Sequence, residues 1–167
     1  ANGRLATFIT NSGGGYSQHK EVALTRWRSD TTLDDWGVWL YVQDCDRGIT
    51  WAATPQPLGG SPDHQEVLFH PRMVEFHYHE HDIALHTEMT VAPEDDVDIR
   101  RLTLTNDGDA PRKLQPTTYG EVVLAPLAAD QRHSAFTKLF VESTPLPTGN
   151  GLLFRRRPRS THEQPYC

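Results

Sequence analysis

Residues 73–91, MVEFHYHEHDIALHTEMTV, contain two runs in which apolar and polar side chains alternate. The runs MVEFHYH and IALHTEMTV each repeat every second residue, which is typical of a strand with one buried face. The polar stretch HEHD between them is too short for anything but a turn. The segment therefore predicts an antiparallel hairpin, and an all-β fold for a chain built of such units.

Other runs rich in β-branched and aromatic residues recur along the chain. They read RLATFIT, WGVWLYVQD, HQEVLFH, VDIRRLTLTN, LQPTTYGEVVLA, FTKLFVES and GLLFRRR. Clusters of Gly, Pro, Asn and Asp separate them, as in a β-sandwich or barrel. We expect one β-sandwich domain over residues 1–167, a tight turn at Asp107–Gly108 closing a hairpin in TNDGDAPRK, and a single short helical region near LAADQRHSA.

The bulk composition excludes several classes of protein. The 167 residues suffice for one domain, and the net charge of −6 argues against general nucleic-acid binding. No apolar run approaches the roughly 18 residues of a membrane span, so we expect no membrane contact by this chain. Two cysteines, Cys45 and Cys167, do not make a disulfide framework, which favours a reducing, cytoplasmic location.

The stretch TNSGGGYS at residues 10–17 places three glycines beside an aromatic ring and a hydroxyl. A phosphate loop is excluded because Lys20 does not follow at the required spacing, and the spacing of a dinucleotide-binding fingerprint is also missing. A plain turn remains one interpretation, since Gly, Asn and Ser are ordinary loop residues. Four tryptophans in the first third of the chain suggest a carbohydrate-binding surface, although Trp36 and Trp39 have opposite parity and one of them fits a strand core.

Three polar clusters are candidates for other chemistry. The motif HYHEH places His77, His79 and His81 at alternating positions, but it lies where a hairpin must turn, so we expect the three rings not to converge and the chain to hold no metal or cofactor. The run RRRPR at residues 155–159 is interpreted as an exposed strand end and not as a nucleic-acid site, because the chain is acidic overall. EDDVD lacks the spacing of a calcium loop.

A resemblance covers residues 2–160. The segments that carry it are TNSGGGYS, TRWRSDTTLDDWGVWLYVQD, GITWAATPQP, VAPEDDVDIRRLTLTN, YGEVVLAP and HSAFTKLF. In that order they resemble the amino-terminal domain of the inverting glycoside phosphorylases of glycoside hydrolase family ninety-four, including the phosphorylase region of cyclic β-1,2-glucan synthases. The resemblance implies a two-sheet antiparallel supersandwich of the galactose-mutarotase-like kind. It also implies that a separate helical barrel supplies the general-acid aspartate, so the isolated chain is expected to be inactive.

The resemblance also implies a site and partners. The glycine loop and its neighbours, Gly13, Gly14, Gly15, Tyr16 and Ser17, are expected to contact a β-glucan or oligosaccharide held by the helical barrel. Two other functions remain open: a free-standing carbohydrate-binding module, and a sugar epimerase or lyase on a similar sandwich. The latter requires a convergent histidine and carboxylate, for which the candidates are His77, His79, His86 and Glu88.

The sequence also suggests an association between copies. Family members continue beyond RPRSTHEQPYC into further strands, so we expect a fragment of a larger enzyme with an incomplete sheet. GLLFRRR is then a candidate for an unpaired sheet edge. Leu152, Leu153 and Phe154 are apolar side chains that favour burial against another chain, while the arginines at 155–157 oppose such pairing by charge repulsion. We expect a homodimer.

Overall fold

The computed structural model describes residues 1–30, 32–158 and 166, which form thirteen strands and two short helices. The strands are β1 (Leu5–Ile9), β2 (Gly15–His19), β3 (Val22–Thr25), β4 (Val38–Asp44), β5 (Ile49–Ala52), β6 (His64–Phe69), β7 (Met73–Glu80), β8 (Ile83–Val91), β9 (Asp98–Asn106), β10 (Leu114–Gly120), β11 (Val122–Pro126), β12 (Val141–Pro145) and β13 (Leu152–Arg156). The helices are α1 (Leu127–Arg132) and α2 (Ser134–Lys138). The all-β class and the short helical region are both confirmed.

Strands β6, β7, β8 and β9 form an antiparallel sheet in chain order. The predicted hairpin is its centre, since β7 pairs with β8 up to Glu80 opposite Ile83. His81 and Asp82 form the two-residue connection with φ values of 59° and 61°, the left-handed pair of a type I′ turn. On β8, Ile83, Leu85, Thr87 and Met89 are buried while the intervening residues are half-buried, as the alternation requires.

A second sheet, in the order β10-β4-β5, packs against the first. Its Leu40, Val42 and Trp51 join Tyr78 and Leu85 of the first sheet in one hydrophobic cluster. Burial of large side chains from both sheets gives the sandwich its core, at roughly 1.5–3 kcal/mol for each fully buried large side chain.

A third sheet runs in the order β1-β2-β3-β11, and β12 pairs with β13 separately. Ser17 of β2 donates a hydrogen bond to Asp98 of β9 at 2.6 Å, which ties this sheet to the first. A register shift in β11 carries Leu124 at a φ of 51°. Within the described residues, no helix is long and apolar enough to cross a bilayer.

Three local predictions are wrong. FTKLFVES is not one strand, because residues 136–138 belong to α2 and β12 begins only at Val141. Asp107–Gly108 does not close a hairpin, because β9 pairs with β8 whereas β10, beyond the turn, pairs with β4 of the other sheet. The arginine run is not simply an exposed strand end, since Arg156 is 1% exposed and its Nη1 donates to the carbonyl of Leu124 at 3.1 Å. Residue 159 of that run lies outside the described residues, as does Cys167.

Candidate functional site

The glycine loop connects β1 to β2 and is held by its own backbone. The N–H of Thr10 donates to the carbonyl of Gly14 at 2.9 Å, and the N–H of Gly13 donates to Thr10 at 3.1 Å. Gly13 and Gly15 have φ values of 95° and 140°, which residues other than glycine rarely adopt. A Cβ on Gly15 would lie 1.9 Å from the carbonyl oxygen of Phe8. The loop therefore requires glycine to allow a close approach of backbones.

This loop is fastened to two other segments of the chain. The N–H of Gly15 donates to the carbonyl of Trp36 at 3.1 Å, just before β4. The N–H of Gln56, after β5, donates to the carbonyl of Ser12 at 3.1 Å. The Ser12 hydroxyl also donates to the carboxylate of Asp34. Three connections thus form one junction, and the glycines belong to a fixed structure and not to a free lid.

An open cleft of about 170 Å³ borders the junction. It is lined by Arg26, Asp35, Trp36, Gly37, Trp39, Tyr119 and Glu121. A Cβ on Gly37 would lie 3.0 Å from the Cα of Gly14, so the loop and the cleft share a wall. The guanidinium of Arg28 lies 5.1 Å from the ring centroid of Trp36, within cation–π range.

A buried ionic network fixes the charged end of the cleft. Arg26 is 2% exposed, and its Nε and Nη2 donate to the two oxygens of Asp130 at 2.9 and 2.6 Å. Its Nη1 pairs with Glu121, which also accepts from the Nζ of Lys138 at 3.0 Å. Burial raises the pKa of Asp130, but the hydrogen bonds from Arg26 and Thr137 outweigh it, and the net pKa is lowered. The pair is therefore ionised and rigidly placed.

The chemistry of the cleft suits a neutral polyhydroxylated ligand. The cleft lining includes two aromatic residues that are opposite each other in the β10–β4 register: Trp39 is 2% exposed, whereas Tyr119 is 54% exposed. Aromatic faces stack on the apolar C–H surfaces of such ligands, while the charged groups at the edge exchange hydrogen bonds with hydroxyls. The parity argument is confirmed, because Trp39 is in the core and Trp36 is half-buried.

The sequence-predicted site residues divide between two places. The three glycines are buried in the junction beside the cleft. Tyr16 stacks on Trp27 with centroids 5.9 Å apart, and Phe8 meets the same indole edge-on at 5.0 Å. Ser17 is 4% exposed, and its hydroxyl is hydrogen-bonded to Asp98. Consecutive residues of a strand point to opposite faces, so Tyr16 and Ser17 cannot share a surface.

Sequence reasoning missed Arg26, Glu121 and Asp130. Asp130 is 104 residues from Arg26 along the chain, so no local spacing announces the pair. The tryptophans singled out in the sequence include two residues of this cleft, Trp36 and Trp39.

The histidine candidates lie on the sheet formed by β6 to β9. His77 and His86 converge on Glu75, with Nε2 to Oε2 distances of 3.3 and 2.9 Å. The hydrogen bond from His86 is the leading cause of a lowered pKa at Glu75. His79 instead lies between two surface aspartates.

Glu88 and His81 do not join His77 and His86 at Glu75. Glu88 pairs with Arg101, and the ring of His81 packs edge-on against Trp51 at 5.3 Å. The three rings of HYHEH therefore point to different partners, as expected, but His77 meets His86 at Glu75, and both of these residues lie outside the motif.

Comparisons with known proteins agree with this architecture. The family profile described as "Glycosyl hydrolase 94, supersandwich domain" matches residues 1–167. The chain is 31% identical over 160 residues to the cyclic beta-(1,2)-glucan synthase NdvB of Rhizobium meliloti (strain 1021), covering 96% of this chain and 6% of that protein. It is 24% identical over 135 residues to the N,N'-diacetylchitobiose phosphorylase of Vibrio furnissii, covering 78% of this chain and 17% of that protein.

The chain thus spans a small part of the length of both relatives. The profile match extends over every residue, and the observed antiparallel sheets agree with it. This chain belongs to the glycosyl hydrolase 94 supersandwich-domain family.

Proposed function

We propose that this chain is the sugar-contacting, structural sandwich domain of a cyclic β-1,2-glucan synthase or a related inverting glycoside phosphorylase. In this proposal the domain does not catalyse turnover alone. Its ligand is a β-glucan or oligosaccharide that a helical barrel of the parent enzyme also holds. The cytoplasmic location favoured by the cysteine content is part of the same proposal.

The observation that carries the proposal is the shared wall between the glycine loop and the aromatic cleft. Gly14 and Gly37 are in backbone contact, and Trp36 both receives the hydrogen bond of Gly15 and lines the cleft. A fixed backbone beside exposed aromatic faces supports binding of a sugar chain with little ordering cost. Tyr16 is a second contact in the proposal, through its half-buried ring, which packs against Phe8 and Trp27.

The non-catalytic role is supported by the state of two carboxylates, Glu121, which lines the cleft, and Asp130, which holds the cleft residue Arg26. Glu121 accepts from Arg26 and Lys138, and Asp130 is held by Arg26 and Thr137. A general acid needs a pKa near the working pH, whereas the pKa of Asp130 is lowered by its partners. The arrangement favours binding over proton transfer.

Calorimetric titration of the chain with linear and cyclic β-1,2-glucans tests this proposal against a free-standing binding module. A domain that contacts sugar only together with its barrel binds the free glucans barely at all. Saturable binding at micromolar to millimolar strength would favour the independent module.

The second test uses the intact parent enzyme. Tyr16→Ala is expected to impair glucan turnover while leaving folding intact, and Phe136→Ala, which removes a 49% exposed ring on α2, serves as the control. Unchanged kinetics for Tyr16→Ala would assign the Tyr16 ring to packing against Trp27 alone.

We further propose that two copies associate. Leu152 and Leu153 of β13 are 58% and 49% exposed, and β13 belongs to a sheet of only two strands among the described residues. Exposed apolar side chains on a short sheet favour pairing with another chain. Arg155 and Arg157 flank the buried Arg156. In the proposal, repulsion between these arginines of neighbouring copies limits the addition of further chains to the sheet edge.

A further inference from the structure

Glu75, His77 and His86 form a cluster on the face of the β6–β9 sheet that points away from the core cluster. His77 and His86 are directly opposite each other in the β7–β8 register, and Glu75 is two residues before His77 on the same face. One donor atom from each residue lies within 4.8 Å of the others. The glycine loop and its cleft belong to other sheets, so this cluster is separate from the proposed sugar site.

Two of the three donor-atom separations are close to those of a metal coordination shell, and the third is within 4.8 Å. Oε2 of Glu75 lies 2.9 Å from Nε2 of His86 and 3.3 Å from Nε2 of His77. A tetrahedral zinc site with bonds of 2.0–2.1 Å has ligand atoms about 3.3 Å apart. Two imidazoles and one carboxylate are also a ligand set that zinc uses where it keeps a position open for water or another ligand.

The surroundings favour a site that is both held in place and reachable. The side chain of Glu75 is 17% exposed, while those of the two histidines are each 35% exposed. His70, from the β6–β7 turn, lies with its Nε2 3.0 Å from the second carboxylate oxygen, Oε1. Such an outer partner orients a metal-binding carboxylate. An open depression of about 310 Å³ begins at the two histidines and gives a route for the ion.

From this geometry we infer that Glu75, His77 and His86 bind a divalent transition-metal ion of the zinc type, with the fourth position facing the depression. The rings of His77 and His86 are stacked, with centroids 4.4 Å apart and planes 15° from parallel. An ion cannot lie in both ring planes in that arrangement, so one ring turns about its Cβ–Cγ bond on binding. The inference replaces the expectation of no metal site, which considered only the three histidines of HYHEH as a set.

The test is zinc titration of the full chain, produced without a polyhistidine tag, by calorimetry. We expect one equivalent of Zn²⁺ per chain. His86→Gln and Glu75→Gln are each expected to weaken binding about tenfold or more, since each removes one of three ligands. His79→Gln is the matched control, because His79 lies on the same face and strand but faces Asp63 and Asp107.

Cobalt supplies an independent readout. Co²⁺ in place of Zn²⁺ is expected to show the intense visible absorption of a four-coordinate site, and Glu75→Gln is expected to lose it while its far-ultraviolet circular dichroism stays unchanged. Failure to bind one equivalent would overturn the inference. Equal weakening by His79→Gln and His86→Gln would also overturn it, because binding would then be a property of a histidine-rich surface.

Discussion

Replacing Asp130 by Asn removes the charge that holds Arg26 at the end of the aromatic cleft. The two side chains are 6% and 1% exposed, and they are joined by two hydrogen bonds. Asn keeps the volume of Asp but offers one acceptor in place of two. Arg26 keeps Glu121 as its remaining charged partner, at the more exposed side of the network.

The expected loss of unfolding free energy follows from the burial of the Asp130–Arg26 pair. Removing one partner of a buried ion pair destabilises a protein by about 3–5 kcal/mol, because the other charge remains buried without compensation. For a domain of this length that corresponds to a fall in melting temperature of about 6–20 °C. The retained Glu121 partner places the expected loss at the lower end of both ranges.

Urea denaturation followed by tryptophan fluorescence measures the change. Glu142→Gln is the control, because it breaks an Arg–carboxylate pair of similar length, 2.9 Å, whose side chains are 58% and 50% exposed. Exposed pairs contribute about 0–1 kcal/mol. A loss for Asp130→Asn no greater than that for Glu142→Gln would refute the assignment of a buried network at the cleft.

The same pair predicts a pH dependence. The folded-state pKa of Asp130 is lowered, so its contribution is fully present above the unfolded pKa of about 4 and is lost as pH falls through the folded value. The difference in unfolding free energy between the wild type and Asp130→Asn is therefore expected to be constant near pH 7 and to shrink below about pH 4. A constant difference down to pH 2 would contradict the lowered pKa.

Three further outcomes are expected. Gly15→Ala destabilises the chain more than Gly48→Ala in the same urea assay. Both glycines have a positive φ, which costs alanine about 1–2 kcal/mol of unfolding free energy, but only at Gly15 would the new Cβ also meet a carbonyl oxygen. Equal losses would contradict this. The isolated chain incubated with β-1,2-glucan and phosphate releases no glucose 1-phosphate above a buffer control, and any release would overturn the non-catalytic role. Light scattering gives twice the 18.9 kDa of one chain, whereas a monomer throughout the micromolar range would exclude the dimer.

Period-two patterning was sufficient to predict strands such as β8, because buried and half-buried residues alternate along it. The β7–β8 hairpin could be located from HEHD alone, since a two-residue turn is a local matter. The hairpin predicted at Asp107–Gly108 is wrong because the residues of a turn do not determine which strand the next strand pairs with. Leu114 begins β10, which pairs with a strand some 70 residues earlier, opposite Asp44. That choice depends on the non-local packing of two sheets.

In the candidate sites, too, features formed by neighbouring residues could be predicted from the sequence, whereas contacts between distant residues could not. The glycine loop is visible in the sequence, but the reason for its glycines is the proximity of Phe8 and Trp36. The Arg26 network and the Glu75–His86 contact join different strands or helices, so only register and sheet packing bring them together. The hydrogen bond from Ser17 to Asp98 of β9 likewise joins residues that are distant along the chain.

The central claim, that the cleft beside the glycine loop contacts sugar, is tested most directly by initial-rate kinetics of the intact enzyme that contains this domain. Trp36→Ala removes the half-buried ring that lines the cleft and leaves the backbone carbonyl that binds Gly15 in place. We expect kcat/KM for β-1,2-glucan to fall about tenfold or more, as for loss of a base-stacking aromatic in other open clefts, while Phe136→Ala stays at the wild-type value. Wild-type kcat/KM for a folded Trp36→Ala enzyme would contradict the account.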